Sequence, residues 1–461
     1  MIEAAVLAAG LALPAQDTGG AAAWRPCDGA QCTWVTVPRD YDRPHGATFR
    51  LRVAKMPATG QKKGTLLFNP GGPGGTGVGM VAGVADELGP KIRRSFDIVS
   101  WDPRGVGQSK PALRGCAQPW LPRPDSGPVD WAKARDAGWR QLRTANAACQ
   151  KRNPRVVPHM GTVNVAHDMD RIRRALGEKT ITYWGMSYGT RIGYVYALHY
   201  PQRVRAMVLD GNIDPNGDYL GLSEGGTAPD SAFTVVKRKD ASLHRGVLDT
   251  KDLLARRPIP MPDGSSYTRW SYLDVYFPAL GSSGMWDLLA DSNTTIAEAE
   301  TDPDKRAALV VLPDNSNQGG AFSVVNCLDY GDRPTRAQQL AVIRKNAEVA
   351  PIYGGSLTAD YMIGCAGLDI HPQPVPHVTR ADRRILRDVP VVVANATHDS
   401  ATPLVWAKRM HRAFPASGFI RYRGGQHVIW HQVDSACVND PIDRFVLTRS
   451  PTGNRTCAFV R

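Results

Sequence analysis

The stretch Ile181-Thr-Tyr-Trp-Gly-Met-Ser187-Tyr-Gly-Thr190 decides the fold of this chain of 461 residues. Its β-branched and aromatic start predicts a short buried strand, and the sequence from Thr190 to Tyr200 predicts a helix that ends at Pro201. A Gly-x-Ser-x-Gly turn lies between them. A serine on such a sharp strand-to-helix turn has its hydroxyl exposed above the sheet, and the flanking glycines avoid collisions with the neighbouring strand and helix. We therefore predict that Ser187 is a nucleophile, which needs a base and an acid from elsewhere in the chain.

A second match to the same pattern provides an internal comparison. Gly221-Leu-Ser223-Glu-Gly225 follows the turn residues Asp214-Pro-Asn-Gly-Asp218 and precedes a loop-like Gly-Thr-Ala-Pro. No strand is predicted before it and no helix after it, so the context that defines the turn at Ser187 is missing. We predict that Ser223 is not a nucleophile.

Strands and helices alternate along much of the chain. Helices are predicted at 165–176 and 404–414, between apolar strands, and this alternation predicts a mostly parallel sheet covered by helices on both faces. From residue 214 to about 349 the alternation stops. Helix-like stretches at 276–290 and 295–308 are separated there by Pro- and Gly-rich joints, so we predict an inserted cap. The predicted strands are 34–38, 65–68, 96–101, 181–184, 205–209, 389–395 and 419–423.

The base and the acid are expected in loops at the carboxyl ends of late strands, in the chain order serine, acid, histidine. Asp399 follows the strand at 391–395, and His427 follows the strand at 419–423. We predict that Ser187 attacks a carbonyl carbon and that His427 takes its proton and passes it to the leaving group. Asp399 is expected to orient the imidazole and to stabilise its charged form.

Two other histidines lie near these positions in the sequence. His398 adjoins Asp399 but precedes the acid. His431 lies four residues beyond His427 and could form a helical metal pair with it, but the intervening Val-Ile-Trp has no glutamate of the kind that zinc hydrolases use. We therefore expect no metal and no other cofactor.

The tetrahedral intermediate of acyl transfer carries an oxyanion that needs backbone N–H donors. We predict one donor from Tyr188, the residue after the nucleophile. The other is expected from the loop Pro70-Gly-Gly-Pro-Gly-Gly75, and Gly72 is our choice because Pro73 has no N–H. The alternative for this loop, a phosphate-binding loop, lacks the Lys-Ser/Thr pair that such loops carry.

Charge and composition exclude several classes of protein. The net charge is +13, but the basic residues are scattered and no basic run alternates with aromatic residues, so we predict no nucleic-acid partner. The apolar stretch from Ile2 to Ala15 resembles the apolar and cleavage regions of a secretory signal peptide, although no Lys or Arg precedes it. It is too short to span a bilayer, and no later stretch is apolar enough, so we predict no membrane span. Eight cysteines behind such a leader predict disulfides, with too many possible connectivities for the sequence alone to pair them.

Several segments, taken together, point to one family of enzymes. They are Asn69-Pro-Gly-Gly-Pro-Gly-Gly-Thr-Gly77, Trp101-Asp-Pro-Arg-Gly-Val-Gly-Gln-Ser109, the helix from Asp168 to Gly177, Gly185-Met-Ser-Tyr-Gly-Thr190, Val208-Leu-Asp-Gly211, Asp399-Ser-Ala-Thr-Pro403 and Gly424-Gly-Gln-His427. These segments resemble the α/β-hydrolase aminopeptidases related to prolyl aminopeptidase, most closely the secreted actinobacterial tripeptidyl aminopeptidases with a TAP-like C-terminal region. The resemblance covers about residues 24–212 and 320–461, and the cap departs from it.

The resemblance implies an α/β-hydrolase fold with an inserted, largely helical cap. It implies a secreted, extracellular serine exopeptidase that removes short peptides or single residues from free N-termini. With the strand pattern it divides the chain into a leader (1–23), an N-terminal core (24–212), a cap (213–349) and a C-terminal TAP-like core (350–461). It also implies four disulfides between nearest neighbours, which are Cys27–Cys32, Cys116–Cys149, Cys327–Cys365 and Cys437–Cys457.

We expect a small peptide or an ester as the substrate. An aminopeptidase should hold the substrate ammonium with a carboxylate, because a buried charge needs a partner, and the candidates are Glu224, Asp230 and Asp329. A carboxylesterase or lipase-like hydrolase with the same triad is the alternative function. A non-catalytic binding protein of the same fold is a second alternative, against which the ordered serine, acid and histidine argue. Ser187 excludes the dehalogenases and epoxide hydrolases that carry Asp at this turn.

Overall fold

The computed structural model describes residues 23–116, 118–119, 121–280, 282–309 and 316–460. The predicted signal peptide, residues 1–23, lies outside them apart from its last residue. Ten strands form one sheet, and their order across it is β1-β2-β3-β5-β4-β6-β7-β10-β11-β12. These strands are β1 (Arg25–Cys27), β2 (Ala30–Pro38), β3 (Thr48–Met56), β4 (Gly64–Asn69), β5 (Phe96–Trp101), β6 (Ile181–Met186), β7 (Val204–Asp210), β10 (Val391–Ala396), β11 (Gly418–Tyr422) and β12 (Asn454–Cys457).

The part of the sheet that carries the predicted site is parallel. From β5 through β4, β6, β7, β10 and β11 to β12 every neighbouring pair is parallel, whereas β1, β2 and β3 are antiparallel additions at one edge. Ser187 follows β6, Asp399 follows β10 and His427 follows β11. Only β7 separates the nucleophile strand from the strand of the acid, so three sequence-distant residues reach the same edge of the sheet.

Three strands of the sheet, β1, β3 and β12, were not predicted from the sequence. In β3 the side chains of Phe49, Leu51 and Val53 are buried and alternate with Arg50 and Arg52, which is the pattern of a strand with one buried face. The other two are short strands at the edges of the sheet and contain mostly exposed residues, and they pair with β2 and β11 respectively.

Helices cover both faces of the sheet, as predicted. One apolar cluster joins the sheet to α4, α5 and α15, and the other joins the opposite face to α1, α2 and α16. The helices are α1 (Val81–Glu87), α2 (Pro90–Ser95), α3 (Trp131–Arg152), α4 (Thr162–Ala175), α5 (Gly189–His199), α6 (Ala228–Lys239), α7 (Ala241–Arg256), α8 (Arg269–Leu280), α9 (Trp286–Ala299), α10 (Pro303–Ala307), α11 (Ser316–Asp329), α12 (Arg336–Val349), α13 (Gly354–Ile363), α14 (Asp382–Leu386), α15 (Leu404–Ala413) and α16 (Ala436–Thr448).

The segment after β7 is helical and has an apolar core of its own, formed by α6, α7, α8 and α9. A small hairpin of β8 (Ile259–Pro260) and β9 (Ser266–Tyr267) lies within it. The helix α13 begins beyond residue 349, where the predicted cap ends, yet it packs against α12 and against the 3₁₀ segment Leu220–Thr227. By packing, the helical unit therefore continues to the end of α13.

Both helices predicted inside the cap are interrupted. The stretch 276–290 contains the end of α8 and the start of α9, and the 3₁₀ segment Ser283–Met285 lies directly before α9. The stretch 295–308 contains the end of α9 and all of α10. Asp302 starts α10 by accepting the backbone N–H groups of Asp304 and Lys305, and Pro303 occupies the first helical position.

Four disulfides stabilise the chain, and they are the pairs that the family resemblance implies. Cys327–Cys365 links α11 to the segment after α13, and Cys437–Cys457 links α16 to the edge strand β12. The described residues contain no free cysteine. Among the described helices, none combines the length and the apolar character needed to cross a bilayer.

Candidate active site

Ser187 lies at the tip of a strained turn between β6 and α5. Its φ angle is +53°, in the left-handed region that residues other than glycine seldom occupy. A Cβ atom on Gly185 would lie 2.5 Å from the carbonyl oxygen of Gly189, and one on Gly189 would lie 2.7 Å from that of Asn69. Close packing therefore requires glycine at both positions of the motif. The serine between them is partly exposed.

Ser223 has a different environment. It lies within the 3₁₀ segment Leu220–Thr227, with no strand before it, and its carbonyl oxygen accepts an N–H of the Asn346 amide at 2.7 Å. The second Gly-x-Ser-x-Gly match therefore lacks the strained strand-to-helix turn of Ser187. The prediction that no helix follows it is wrong, because the 3₁₀ segment continues directly into α6 at Ala228.

Asp399 and His427 meet although 28 positions separate them in the chain. The Nδ1–H of His427 donates to Oδ1 of Asp399 at 2.8 Å. The same oxygen accepts the backbone N–H groups of Ala401 at 2.9 Å and Thr402 at 2.7 Å. The carboxylate is fully buried and held by its own loop, whereas 27% of the His427 side chain is exposed. Nδ1 is thus occupied, and Nε2 is the ring nitrogen left for proton transfer.

The surroundings of His427 favour its protonated form. Burial lowers the pKa of the imidazole, but the charge and hydrogen bond of Asp399 raise it, and the charge of Asp210 adds to this effect. The net pKa lies above the ordinary value for histidine. Two carboxylates therefore stabilise the imidazolium that forms when the ring accepts a proton.

The glycine-rich loop after β4 lies directly against the elbow. A Cβ atom on Gly71 would lie 2.8 Å from the Cβ atom of Ser187 and 3.1 Å from the backbone nitrogen of Tyr188. The N–H of Gly71 donates to the side-chain oxygen of Asn69 at 3.0 Å, so this donor is already used. The roles of Gly72 and Tyr188 as oxyanion donors stay predictions.

A buried polar network lies behind Tyr188. Its hydroxyl is 2.6 Å from Oγ1 of Thr162, whose backbone N–H donates to Asp329 at 2.8 Å. Asp329 also accepts a guanidinium N–H of Arg191 at 3.0 Å, in an ion pair with almost no exposed surface. The network joins α11 to the first turn of the nucleophile helix α5.

All three candidate anchors for a substrate ammonium already have partners within the protein. Asp329 is paired with Arg191, as described above. Glu224 accepts N–H groups from Trp406 at 2.7 Å and from Arg409 at 2.8 Å. Asp230 accepts the backbone N–H groups of Ile352 and Tyr353, both at 2.9 Å. The hydrogen bonds and ion pairs of these carboxylates connect cap segments with each other and with the core. The sequence alone did not show these contacts.

The two neighbouring histidines are engaged elsewhere. Nδ1 of His398 lies 2.9 Å from the hydroxyl of Ser231 on α6, and Nε2 of His431 lies 2.9 Å from Asp443 on α16. Within the described part of the chain, no three side chains of the metal-ligating types lie together.

Two functional neighbours of His427 were missed at the sequence level. Oγ1 of Thr402 lies 3.4 Å from Nδ1 of His427. The buried carboxylate of Asp210, the last residue of β7, accepts backbone N–H groups of Ile429 and Trp430. An aspartate at the end of an apolar strand, in Val-Leu-Asp-Gly, is the signal that could have identified it.

Comparisons with known proteins identify the family to which the chain belongs. Residues 64–226 match the family described as alpha/beta hydrolase fold, and residues 350–457 match the family described as TAP-like protein. Serine protease Hip1 of Mycobacterium tuberculosis is 32% identical, over 93% of this chain and 90% of its own. Tripeptidyl aminopeptidase of Streptomyces lividans is 30% identical over 95% and 85%, and carboxylesterase B of M. tuberculosis is 32% identical over 93% and 86%.

Proposed function

The chain belongs to the α/β-hydrolase family and is a serine hydrolase with a TAP-like C-terminal region, and from this premise we propose that it is a secreted aminopeptidase. It would release short peptides or single residues from the free N-termini of small peptides. Ser187, His427 and Asp399 would be its catalytic triad.

The proposed chemistry gives each of these side chains one role. Ser187 attacks the scissile carbonyl while Nε2 of His427 accepts its proton, and Asp399 keeps the ring in the tautomer that leaves Nε2 free. The oxyanion accepts N–H groups from Tyr188 and Gly72. His427 then protonates the leaving amine, and water hydrolyses the acyl-enzyme by the same route in reverse.

One observation carries the peptidase assignment. The chain is 30% identical to a tripeptidyl aminopeptidase over 95% of its length, so the alignment extends across the cap, where the sequence motifs had shown no resemblance. The serine protease relative supports the same class of substrate. Secretion is supported by the leader-like N-terminus in the sequence and by four disulfides, which form and persist in oxidising compartments.

A carboxylesterase is the second candidate, and it also rests on a specific observation. Carboxylesterase B is as similar to this chain as the serine protease is, at 32% identity. Both activities use the same triad and acyl-enzyme, so they differ only in what the cap accepts and in the leaving group.

Matched fluorogenic substrates separate the two candidates. One set carries free N-terminal mono-, di- and tripeptides, the second is the same set acetylated, and the third consists of short-chain esters. We expect cleavage of the free-amine set alone, and the best peptide length then gives the number of residues released. Ester cleavage together with indifference to acetylation would assign the protein to the esterases. A Ser187→Ala variant controls for contaminating hydrolases in all three sets.

A further inference from the structure

We propose that Asp210 is a positioning residue that anchors the loop carrying His427 and presents a second carboxylate to its imidazole. The proposal rests on the serine hydrolase chemistry of the proposed function and not on the choice of a peptide over an ester. Asp399 remains the acid that contacts the ring, and Asp210 acts through the loop and through its charge.

Asp210 occupies a central place among the three triad segments. It ends β7, which pairs with the nucleophile strand β6 on one side and with the acid strand β10 on the other. Its backbone oxygen accepts the N–H of Ser187 at 2.9 Å. Its side chain is fully buried and faces the third segment, the loop after His427.

The contacts with that loop use both carboxylate oxygens. The backbone N–H of Ile429 lies 3.0 Å from each of them, and the N–H of Trp430 donates to Oδ2 at 2.8 Å. These are charge-assisted hydrogen bonds in a site with no exposed surface, and such bonds are stronger than neutral ones.

The loop needs such an anchor because its backbone is strained. Val428 has a φ angle of +65° and His431 one of +53°. A β-branched residue in the left-handed region is unfavourable, and it persists only where the surrounding structure holds it. The anchored residues Ile429 and Trp430 lie between Val428 and His431, and Val428 directly follows His427.

The ring of His427 packs against the same strand end. A Cβ atom on Gly211, the residue after Asp210, would lie only 2.9 Å from Cε1 of the imidazole. The hydrogen bond to Asp399 and the neighbouring hydroxyl of Thr402 fix its other side. The imidazole is therefore held between the acid loop and the end of β7.

Charge gives Asp210 its second role. Burial is the main influence on the carboxyl group of Asp210 and raises its pKa to about 7. The backbone N–H groups of Trp430 and Ile429 and the charge of His427 lower this pKa, whereas the charge of Asp399 raises it. Asp399 and Asp210 are the charged groups that act on His427. Ionised Asp210 thus stabilises the imidazolium, and protonation of Asp210 removes both this charge and part of the loop anchor.

The test compares three variants by a reaction that needs no free amino terminus. The rate of hydrolysis of p-nitrophenyl acetate is measured against pH and divided by the number of sites that a fluorophosphonate titrates, so that unfolded protein does not count. Asp210→Asn keeps the shape of the side chain but turns an amide NH2 toward a backbone N–H. We expect kcat to fall about 10- to 100-fold with little change in KM. We also expect the acid limb of kcat/KM to move to lower pH.

Asp210→Glu and Asp102→Asn are the controls. Asp210→Glu keeps the charge but displaces it, so kcat should fall while the acid limb moves less than in Asp210→Asn. Asp102 follows β5, is also buried, and accepts backbone N–H groups from Val78 at 3.0 Å and Gln108 at 2.7 Å. Asp102→Asn therefore imposes a similar structural change away from His427, and the acid limb should stay in place.

Two results would overturn the proposal. An Asp210→Asn protein with unchanged kcat per titrated site would show that the loop needs no anchor at this position. An Asp210→Asn protein with a lowered kcat and an unmoved acid limb would contradict the proposal that Asp210 acts on His427 through its charge. If Asp210→Asn does not fold, the pH profile of the unaltered protein still tests the proposal. The acid limb of its kcat/KM should have the steepness of two ionisations, and the steepness of a single ionisation would contradict the proposal. A protein that hydrolyses the ester normally but does not cleave peptides would contradict only the proposed aminopeptidase function, and not the role of Asp210.

Discussion

Asp329 on α11 and Arg191 on α5 form a buried ion pair, with 3.0 Å between Oδ2 and the guanidinium nitrogen, behind the residue that follows the nucleophile. The pair joins a helix of the segment after β7 to the nucleophile helix, with Thr162 and Tyr188 in the same network. Asp329 was a candidate for binding a substrate ammonium, and its actual partner gives it a structural role.

Asp329→Asn should destabilise the protein because it leaves the guanidinium of Arg191 buried without its partner. Removing one member of a buried ion pair costs about 3 kcal/mol or more, and a clear fall in the urea midpoint is expected. The matched control is Asp136→Asn, which breaks a partly exposed pair with Arg336 and should change the midpoint far less. Equal losses in the two variants would contradict this interpretation.

Gly71→Ala should nearly abolish catalysis. The added methyl group would lie 2.8 Å from the Cβ atom of Ser187, at a φ angle of +93° that alanine disfavours. A displacement of the nucleophile by about 1 Å lowers kcat by about 100-fold. Gly79→Ala is the control, since a Cβ atom there meets nothing within 4 Å. Esterase or peptidase rates per milligram of folded protein measure both, and full activity of Gly71→Ala would disprove the close approach.

Ser187→Ala should remove covalent labelling by a fluorophosphonate, because no other serine of the described residues lies on a strand-to-helix turn with a positive φ angle. Ser223→Ala is the internal control and should label like the unaltered protein. Intact-mass spectrometry after labelling gives the answer directly, and retained labelling of Ser187→Ala would place the nucleophile elsewhere.

The pH profile should reflect the environment of His427. The ring must be neutral to accept a proton from Ser187, so kcat/KM is lost as the pH falls through its pKa. Because that pKa is raised, the acid limb should lie nearer to neutral pH than for an ordinary histidine. Asp399→Asn removes a negative charge and should move the limb to lower pH, with a fall in kcat of about 10⁴-fold. A limb that stays in place in this variant would contradict the pairing.

The disulfide Cys327–Cys365 should contribute strongly to stability. It closes a segment with a sequence separation of 38, which in the chain-entropy account corresponds to about 4 kcal/mol. Replacing both cysteines by alanine should lower the melting temperature more than the same change at Cys27–Cys32, whose separation is 5. Non-reducing peptide mapping of the unaltered protein should find both pairs, and a free thiol at any of these four positions would be inconsistent with the structure.

The sequence was sufficient for the parallel core from β5 to β11, whose strands are mostly apolar, but not for the mostly exposed edge strand β12. The residues Ser187, Asp399 and His427 could be placed at one edge of the sheet by the strand-end rule alone. The disulfide pairing came from family resemblance, since the cysteine spacing itself does not select partners.

What the sequence did not show depends on contacts between distant segments. The partners of Glu224 lie 182 and 185 positions away and those of Asp230 lie 122 and 123 positions away, and no local pattern distinguishes such a carboxylate from one that faces a ligand. The role of Asp210 depends on backbone N–H groups 219 and 220 positions further along the chain. The strand β3 was not predicted although its buried residues alternate with arginines.

The pairing of β10 with β7 has a consequence for biosynthesis. Ser187 belongs to a part of the sheet that precedes the helical insertion, whereas Asp399 and His427 come after it. A growing polypeptide that has reached the end of α13 contains the proposed nucleophile but neither of the groups proposed to activate it. On this assignment, hydrolytic competence arises at one late step, when the residues that follow α13 add β10, β11 and β12 beside β7.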